Sequence, residues 1–528
     1  MKAVRALVVV CALALLLAEH AGAQTSSDFA GHHRQIFRVV VVRDLSIADL
    51  PQLAAAGAVG LVVPNAGPRT SEADAFAGMV RGVLYNTRLA WPRADVVLIH
   101  VDKARSIPLG GPAIVIGLPP EHRVANDRRY PIAVIGRGYH GLLRSSLTRV
   151  PGVVSIADVA RTALQTPHML RAQKDANPVR TLDRLESHIV VSRDSTMAAS
   201  VLVLGLLVFF ALLLPAGAPA ALGAALAANL TLGWLLAGSA GPRVALLGAC
   251  TVAGGLLGAR LLRSGTRPGS GTGLGLALVA VIVGYAATMA VHPEAVSLAP
   301  MGPELTSRFF GVSNLLATLL LGPALLGAYL LGKRYGRLAF AAVALLSLVT
   351  IAENQLGADG GGAVVVGVAF AVLAVAMSGA GWRLVVPALA FAALTVFVLL
   401  DLDAASNSPD HLRGAMHGGI NGFAHGATNR VPLAYTRRVE QWGRLVPAVA
   451  ALVIGVLAAR SRHASALGLS LLAALGASLL VNDSPGPVMI AGLAVVLALE
   501  GGIVHRGLTL PLARRFAAVP VPQPQRSS

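Results

Sequence analysis

The feature that most constrains the fold is a series of apolar stretches after Met197, each long enough to cross a lipid bilayer. About eleven stretches qualify, with approximate bounds 198–215, 218–239, 243–262, 273–291, 311–332, 336–352, 361–379, 383–401, 444–460, 464–481 and 486–504. Of the 528 residues, 55% are hydrophobic and 13% are charged, which excludes an ordinary soluble globule. The sequence predicts a polytopic α-helical membrane protein with about 11 transmembrane helices.

The N-terminus has the pattern of a secretory signal peptide. Lys2 and Arg5 are basic, residues 6–18 are apolar, and Ala21-Gly22-Ala23 is a small-residue cleavage site. We therefore predict that residues 1–23 are removed on export, with an uncleaved membrane anchor as the alternative.

Residues 24–196 predict a small α/β domain. Short β-branched runs at 37–42, 59–63, 96–101, 113–116 and 132–135 are typical of buried strands. Helices are predicted at 46–56 and 71–84, because each segment opens with a serine. A position between a signal peptide and the first span predicts an extracytoplasmic location. The membrane part then covers residues 197–505, and a cytoplasmic tail covers 506–528.

The distribution of basic residues supports this orientation. If the first span runs inward, thirteen Arg and Lys residues fall on the cytoplasmic side, as the positive-inside rule requires. Nine of the ten acidic residues after Met197 then face outward: Glu294, Glu304, Glu353, Asp359, Asp401, Asp403, Asp410, Glu440 and Asp483. We expect the chemistry of the protein at this outer face of the cell membrane.

The net charge of +18 does not indicate nucleic-acid binding. Thirteen of the 43 basic residues determine topology, and residues 24–196 hold 21 basic against 14 acidic residues. No basic helix or series of stacking aromatics accompanies them. Contact with membrane lipid, a lipid-linked saccharide or an anionic glycan is the expected partnership.

The connection between the sixth and seventh stretches is the first candidate site. It reads Glu353-Asn354-Gln355-Leu356-Gly357-Ala358-Asp359-Gly360-Gly361-Gly362. Carboxylates and amides at a membrane boundary are costly unless wet or paired, and glycines let a backbone approach a ligand. Glu353 and Asp359 are candidate catalytic residues and Asn354 is a candidate ligand; a flexible turn is the alternative.

A second connection places Asn482 and Asp483 before Ser484-Pro485-Gly486-Pro487. Asp483 is the third candidate catalytic carboxylate, and Asn482 is a candidate substrate ligand. A plain tight turn uses the same residue types, so this alternative stays open.

A third candidate precedes the fifth stretch, where Arg308 stands at the outer boundary and Asn314 lies just inside it. The planar guanidinium could bind a phosphate or carboxylate. Alternatively, Arg308 pairs with Glu304 four residues earlier.

A fourth candidate is the polar segment 401–443, which is too long for a simple connection. Its later part resembles an interfacial amphipathic helix, in which Arg437 and Arg438 are candidate ligands for phosphates. His411, His417 and His425 lack HxH or HExxH spacing, so no metal site is predicted. No cofactor is identified.

Few ionisable or amide side chains lie deep within the predicted spans. Asn229 falls in the middle of the second span, where it lines a cavity or bonds across helices. Glu500 falls in the last span.

Two segments of the α/β domain resemble a known protein family. They are residues 130–138 (Tyr-Pro-Ile-Ala-Val-Ile-Gly-Arg-Gly) and residues 148–162 (Thr-Arg-Val-Pro-Gly-Val-Val-Ser-Ile-Ala-Asp-Val-Ala-Arg-Thr). They resemble late segments of a shortened alkaline-phosphatase-superfamily domain fused to a polytopic membrane module, as in actinobacterial-type envelope proteins. The resemblance implies that Asp44 matches an early metal-ligating aspartate. Enzymes of that superfamily hold two metals with Asp and His and use a Ser or Thr nucleophile. This chain has no Asp-x-x-Gly-His motif, and Thr70 is a loose match for the nucleophile, so the resemblance implies a degenerate domain that senses or guides substrate.

Three functions follow from these patterns. The first is an envelope enzyme that acts on lipid-linked or polymeric glycan at the outer face. The second is a transporter or flippase, which the scarcity of ionisable residues within spans disfavours. The third is a non-enzymatic scaffold or sensor with a pseudo-phosphatase domain. Whether the protein is an enzyme is left open by the sequence.

Overall fold

The computed structural model describes residues 37–65, 69–82, 101–104, 107, 111–165, 169–235, 239–263, 270–303, 310–353, 356–357, 360–378, 466–481 and 485–504. These residues form an N-terminal α/β part followed by apolar helices. The predicted signal peptide, the polar segment 401–443 and the predicted tail 506–528 lie outside them.

The α/β part is built on a mostly parallel sheet of eight strands. In chain order the strands are β1 (Arg38–Val42), β2 (Ala58–Val63), β3 (Arg69–Thr70), β4 (Val101–Ala104), β5 (Ala113–Ile116), β6 (Val124–Ala125), β7 (Tyr130–Ile135), β8 (Gly141–Arg144), β9 (Val153–Ser155) and β10 (Arg171–Gln173). The order across the sheet is β10-β8-β2-β7-β5-β1-β4, and β9 also pairs with β2. Strands β7 and β10 run antiparallel to their neighbours, whereas β3 and β6 form a separate ribbon.

Both faces of the sheet are covered, which explains the unbroken apolar runs. Along β1, Val39 and Val41 join the core on one face, and Val40 and Val42 join the core on the other. The strand predicted at 113–116 is confirmed, and those predicted at 37–42, 59–63 and 132–135 shift by one or two residues at their starts. Near the fifth predicted run, 96–101, the described strand is β4.

Local capping sets the helices of this part. The predicted helix 46–56 is a 3-10 turn, Ile47–Asp49, followed by α1 (Leu50–Ala56), because Asp49 Oδ2 accepts the Ser46 amide at 2.8 Å and closes the turn. Helix α2 (Glu72–Arg81) ends earlier than predicted, since Gly82 adopts φ +63°. Helix α3 spans Ala157–Ala163.

One continuous helix, α4 (Pro178–Leu213), connects the α/β part to the apolar helices. Its first turns pack in the α/β cores through Leu182 and Ile189. Its later turns pack among the apolar helices through Val203, Leu207 and Phe210. At 36 residues it is about 54 Å long, longer than a hydrocarbon core of about 30 Å.

The remaining helices form an apolar bundle. They are α5 (Ala218–Leu235), α6 (Ala240–Arg263), α7 (Ser270–Val291), the short α8 (Pro293–Ser297), α9 (Asn314–Tyr335), α10 (Arg337–Ala352), α11 (Gly360–Ser378), α12 (Ala466–Val481) and α13 (Pro485–Val504). Among the described residues, six helices, α4 to α7, α9 and α11, are long and apolar enough to cross a membrane, whereas α10, residues Ala466–Ser478 of α12 and residues Pro487–Glu500 of α13 are shorter apolar segments. Nine predicted stretches therefore coincide with helices. The stretches 383–401 and 444–460 lie outside the described residues, so the total of about eleven stays a prediction.

One end of the bundle contacts the α/β part, and we call it the domain end. Val63, Val150 and Val153 of the α/β part pack with Ile189 and Leu298, which follows α8. In addition, the Ser192 hydroxyl donates to the Ala299 carbonyl at 3.1 Å. The connection between α8 and α9 therefore lies beneath the α/β part.

Side chains from three helices hold this connection in place. Asn229 accepts the Met301 amide at 2.7 Å and donates to the Tyr285 hydroxyl, which donates to a carbonyl of α5. Arg243 is 4% exposed and donates to the carbonyls of Leu232 and Leu298. Of the two roles considered for Asn229, the structure shows bonding across helices.

Substituting Asn229 with Leu should destabilise the bundle. The Met301 amide would lose its acceptor inside the protein, at a cost of about 1–3 kcal/mol. We expect the detergent-purified N229L variant to lose its monodisperse form at a lower temperature than the wild type.

The matched control is Thr251→Val in α6, because the buried Thr251 hydroxyl donates to the Leu247 carbonyl of its own helix. Equal thermal stability of N229L and T251V would contradict the proposed role of Asn229.

Candidate functional site

Two of the nine candidate site residues lie in the described part of the chain, Glu353 and Asn314. The other seven fall outside it: Arg308, Asn354, Asp359, Arg437, Arg438, Asn482 and Asp483. For Asn482 and Asp483, the flanking helices α12 and α13 are antiparallel, since Gly468 meets Glu500 and Gly492 meets Leu475.

Glu353 caps the C-terminus of α10. Its amide donates to the Val349 carbonyl, and its carbonyl accepts the Leu356 amide at 3.0 Å, which turns the chain back towards α11. Gly357 then lies so close to the carbonyls of Thr350 and Ile351 that a Cβ atom would overlap them. A glycine is therefore required at position 357, because the backbone there approaches the carbonyls of α10 too closely for a side chain.

This connection meets the one before α9, which spacing along the chain did not reveal. The Val312 amide donates to the Gly357 carbonyl at 3.0 Å. Gly311 has φ +82° and packs directly on Gly357, with no room for a Cβ atom. The first and third candidate segments are thus joined at the domain end of the bundle.

The N-termini of α9 and α11 flank a small cleft at this junction. Ser313 caps α9 by accepting the Leu316 amide, so that Asn314 begins the helix. The cleft is lined by Asn314, Thr318 and Gly362, among others, and has room for about one water molecule. Two helix N-termini together present about one unit of positive partial charge, which favours an anion beside them.

The α/β part reaches this junction through Arg149. Its guanidinium carbon lies 4.4 Å from the centre of the ring of Phe310, the residue before Gly311. Such cation-π contacts stabilise by about 0.5–2 kcal/mol. The sequence did not single out Arg149, although the Pro151-Gly152 pair after it marks a turn.

The loop that presents Arg149 is firmly braced. The Ser145 hydroxyl accepts the Leu147 amide at 2.9 Å, and the Thr148 hydroxyl donates to the Val153 carbonyl. Gly152 has φ +88°, and its amide donates a hydrogen bond to the Leu143 carbonyl. Arg149 itself holds φ +55°, a costly conformation for a residue with a side chain.

A buried carboxyl, Asp158, lies beneath this loop. Its Oδ2 accepts the Ser155 amide at 2.8 Å and so caps the start of α3. Burial raises the pKa of Asp158 to about 6, against the lowering effects of the Ser145 hydroxyl, the Ser155 amide and Arg161. Perturbed carboxyls occur at functional sites, yet the capping bond gives Asp158 a structural role here.

The positions implied by the phosphatase resemblance show no catalytic arrangement in the described ranges. Thr70 is fully buried, and its hydroxyl has no hydrogen-bond partner among the described residues. Asp44 is exposed at φ +62°. No group of three or more His, Cys, Asp or Glu side chains in these ranges is placed to hold a metal ion.

Substituting Gly311 with Ala should open the junction between the two connections. The added Cβ would meet the Gly357 carbonyl, and the positive φ adds about 1 kcal/mol. We expect faster hydrogen exchange at residues 310–313 and 356–357 in the G311A protein.

Gly336→Ala separates the two effects, because Gly336 has φ +87° but no atom within 4 Å of an added Cβ. Equal exchange at the junction in G311A and G336A would show that the close contact does not hold the two segments together.

Replacing Asp158 with Asn should remove a pH dependence. Because the pKa of Asp158 in the folded protein lies above its ordinary value of 3.8, the folded protein retains a proton that the unfolded chain releases between these two values. The contribution of Asp158 to stability is therefore greatest below pH 4 and falls by on the order of 3 kcal/mol as the pH rises to about 6. At pH 8 we expect D158N to show slower hydrogen exchange in α3 than the wild type, and at pH 4 no difference.

The control is Asp49→Asn, which changes the same kind of capping carboxylate in a solvent-accessible turn. A wild-type pH profile in D158N would contradict the assigned cause.

Comparison with known proteins does not extend this description. The chain matches no protein-family model, no curated protein and no solved structure.

Proposed function

We propose that this integral membrane protein handles a lipid-linked or polymeric glycan, with an anionic group, at the extracytoplasmic face of the cell membrane. The observation that supports the proposal most is the pairing of the α9 and α11 N-termini on one cleft, at the end of α10 that carries Glu353. A phosphate of a lipid-linked saccharide is a suitable ligand for two such helix termini.

In this proposal the candidate residues divide into carboxylates that act in group transfer and side chains that bind the substrate. Glu353 acts as a general base or as an electrostatic stabiliser in group transfer, and Asn314 donates a hydrogen bond to the substrate. Asp359 and Asp483 remain proposed carboxylates of the same face. Arg308, Asn354, Asn482, Arg437 and Arg438 remain proposed ligands of the substrate.

The α/β part would guide substrate without reacting with it. Arg149 connects its braced loop to Phe310 beside the junction. As a degenerate phosphatase-like domain it would sit outside the membrane, and the C-terminus would be cytoplasmic. The charge distribution along the sequence supports this orientation.

One observation favours the alternative of a non-enzymatic scaffold or sensor. The cleft at Asn314 has room for about one water molecule, which suits a structural junction. A transporter or flippase has less support, because the two polar groups singled out deep within described spans, Asn229 and Glu500, both contact protein. Asn229 bonds to Tyr285 and Met301, and Glu500 is buried against Gly468.

Replacing Glu353 with Gln in the native host tests the proposal. The substitution keeps the shape of the side chain and removes its charge, so a general base would lose at least about 100-fold in rate. We expect the lipid-linked glycan precursors to accumulate and the glycan content of the envelope to fall, at unchanged protein level.

Glu294→Gln is the matched control, because Glu294 belongs to the same set of acidic residues and contacts His292 at 3.1 Å beside α8. Wild-type precursor levels in E353Q, and likewise after substitution of Arg308, Asp359 and Asp483, would refute the enzymatic proposal and favour the scaffold.

A further inference from the structure

A second cleft lies where the α/β part meets the side of α4. It has a volume of about 320 Å³, equal to about ten water molecules in the liquid. Ile47 and Val190 line it together with five charged side chains: Asp127, Arg128, Arg129, Glu186 and Arg193. None of these residues belongs to the junction at Glu353 and Asn314.

The cleft offers guanidinium donors to an anion. Arg129 is buried, with a side chain 3% exposed, and its guanidinium donates two hydrogen bonds to the Glu186 carboxylate, at 2.5 and 2.6 Å. The Arg129–Glu186 ion pair therefore forms a fixed side of the cleft. Arg193 donates to the Asp127 carbonyl at 2.8 Å and to the Asp194 carboxylate at 3.3 Å, and its guanidinium lies 3.9 Å from the Asp127 carboxylate. Arg128 is exposed. The lining holds three guanidinium groups and two carboxylates, and Asp194 beside Arg193 adds a third carboxylate, so the charges balance. An anion here would be bound by the exposed Arg128 and by the hydrogen-bond donors of Arg193.

The position of the cleft on α4 points to a lipid. Val190, Arg193, Met197 and Val201 follow one another at spacings of three, four and four residues, so they share one face of the helix. Met197 is 73% exposed and Val201 is 61% exposed, and no charged residue follows Asp194 within α4. The lower part of this face is therefore suited to contact acyl chains.

The distance between Arg193 and Met197 along α4 agrees with the thickness of the headgroup layer of a bilayer. Arg193 lies four residues before Met197, which is about 6 Å along the helix axis. A headgroup layer extends about 5–8 Å beyond the hydrocarbon core. An anionic group at the height of Arg193 therefore lies in the headgroup layer when Met197 contacts acyl chains.

We propose that this cleft binds the headgroup of an anionic membrane lipid. The lipid phosphate lies between Arg128 and Arg193, and the acyl chains follow Met197 and Val201 into the bilayer. The Arg129–Glu186 pair supports the back of the cleft. This lipid site is independent of the glycan proposal, because the two clefts have no lining residue in common.

The test measures the affinity of the purified full-length protein in detergent for short-chain phosphatidylglycerol, by native mass spectrometry. Short-chain phosphatidylcholine and inorganic phosphate are the comparison probes. We expect phosphatidylglycerol to bind more tightly than phosphatidylcholine, and inorganic phosphate not to displace it. Arg128→Gln should weaken phosphatidylglycerol binding by about fivefold, as expected for one arginine near a membrane surface.

Arg193→Gln should have a similar effect, and R128Q keeps the test valid if R193Q fails to fold, because Arg128 is exposed. Arg184→Gln is the matched control, since Arg184 is exposed on α4 nine residues before Arg193, on the opposite face. E353Q should bind phosphatidylglycerol like the wild type. Wild-type binding by R128Q, or displacement by inorganic phosphate, would overturn the lipid site.

Discussion

The arrangement of the molecule depends on one rigid element, helix α4, which belongs to two hydrophobic cores at once. Leu182 and Ile189 are buried in the α/β part, and Val203 and Leu207 are buried in the bundle. A helix transmits direction and rotation along its axis, so the α/β part cannot turn freely above the membrane helices. The contacts of Arg149 and Ser192 at the domain end are possible because α4 holds both partners in place.

The domain end illustrates how a membrane protein satisfies backbone groups where regular helices stop. The described residues between α8 and α9, 298–303 and 310–313, form no regular helix, and their buried polar groups need partners inside the protein. Asn229, Arg243 and Ser192 supply them from three different helices. The glycines Gly311 and Gly357 then allow two such connections to touch through their backbones. Rigid packing, more than any single charged group, creates the cleft beside Asn314.

Periodicity and hydropathy were sufficient to predict most elements of this fold. The valine runs of β1 and β2, and the nine apolar stretches that coincide with helices, follow from local burial. The contact between Gly311 and Gly357 could not be predicted from the sequence, because it joins residues 46 positions apart and leaves no periodic pattern. Arg149 was overlooked for a similar reason, since a single arginine in a turn does not reveal its aromatic partner. The buried position of Asp158 depends on the packing of its loop, which spacing does not encode.

The double membership of α4 also limits how the chain can vary in length. One residue inserted between Arg193 and Met197 would rotate everything before it by about 100° and raise it by about 1.5 Å. Arg149 would then move away from Phe310, and Arg193 would leave the stripe shared with Met197. Seven residues, close to two whole turns, would restore the rotation but lift the α/β part by about 10 Å. The length of α4 thus sets both the height and the rotation of the α/β part, and an insertion that keeps the rotation still changes the height.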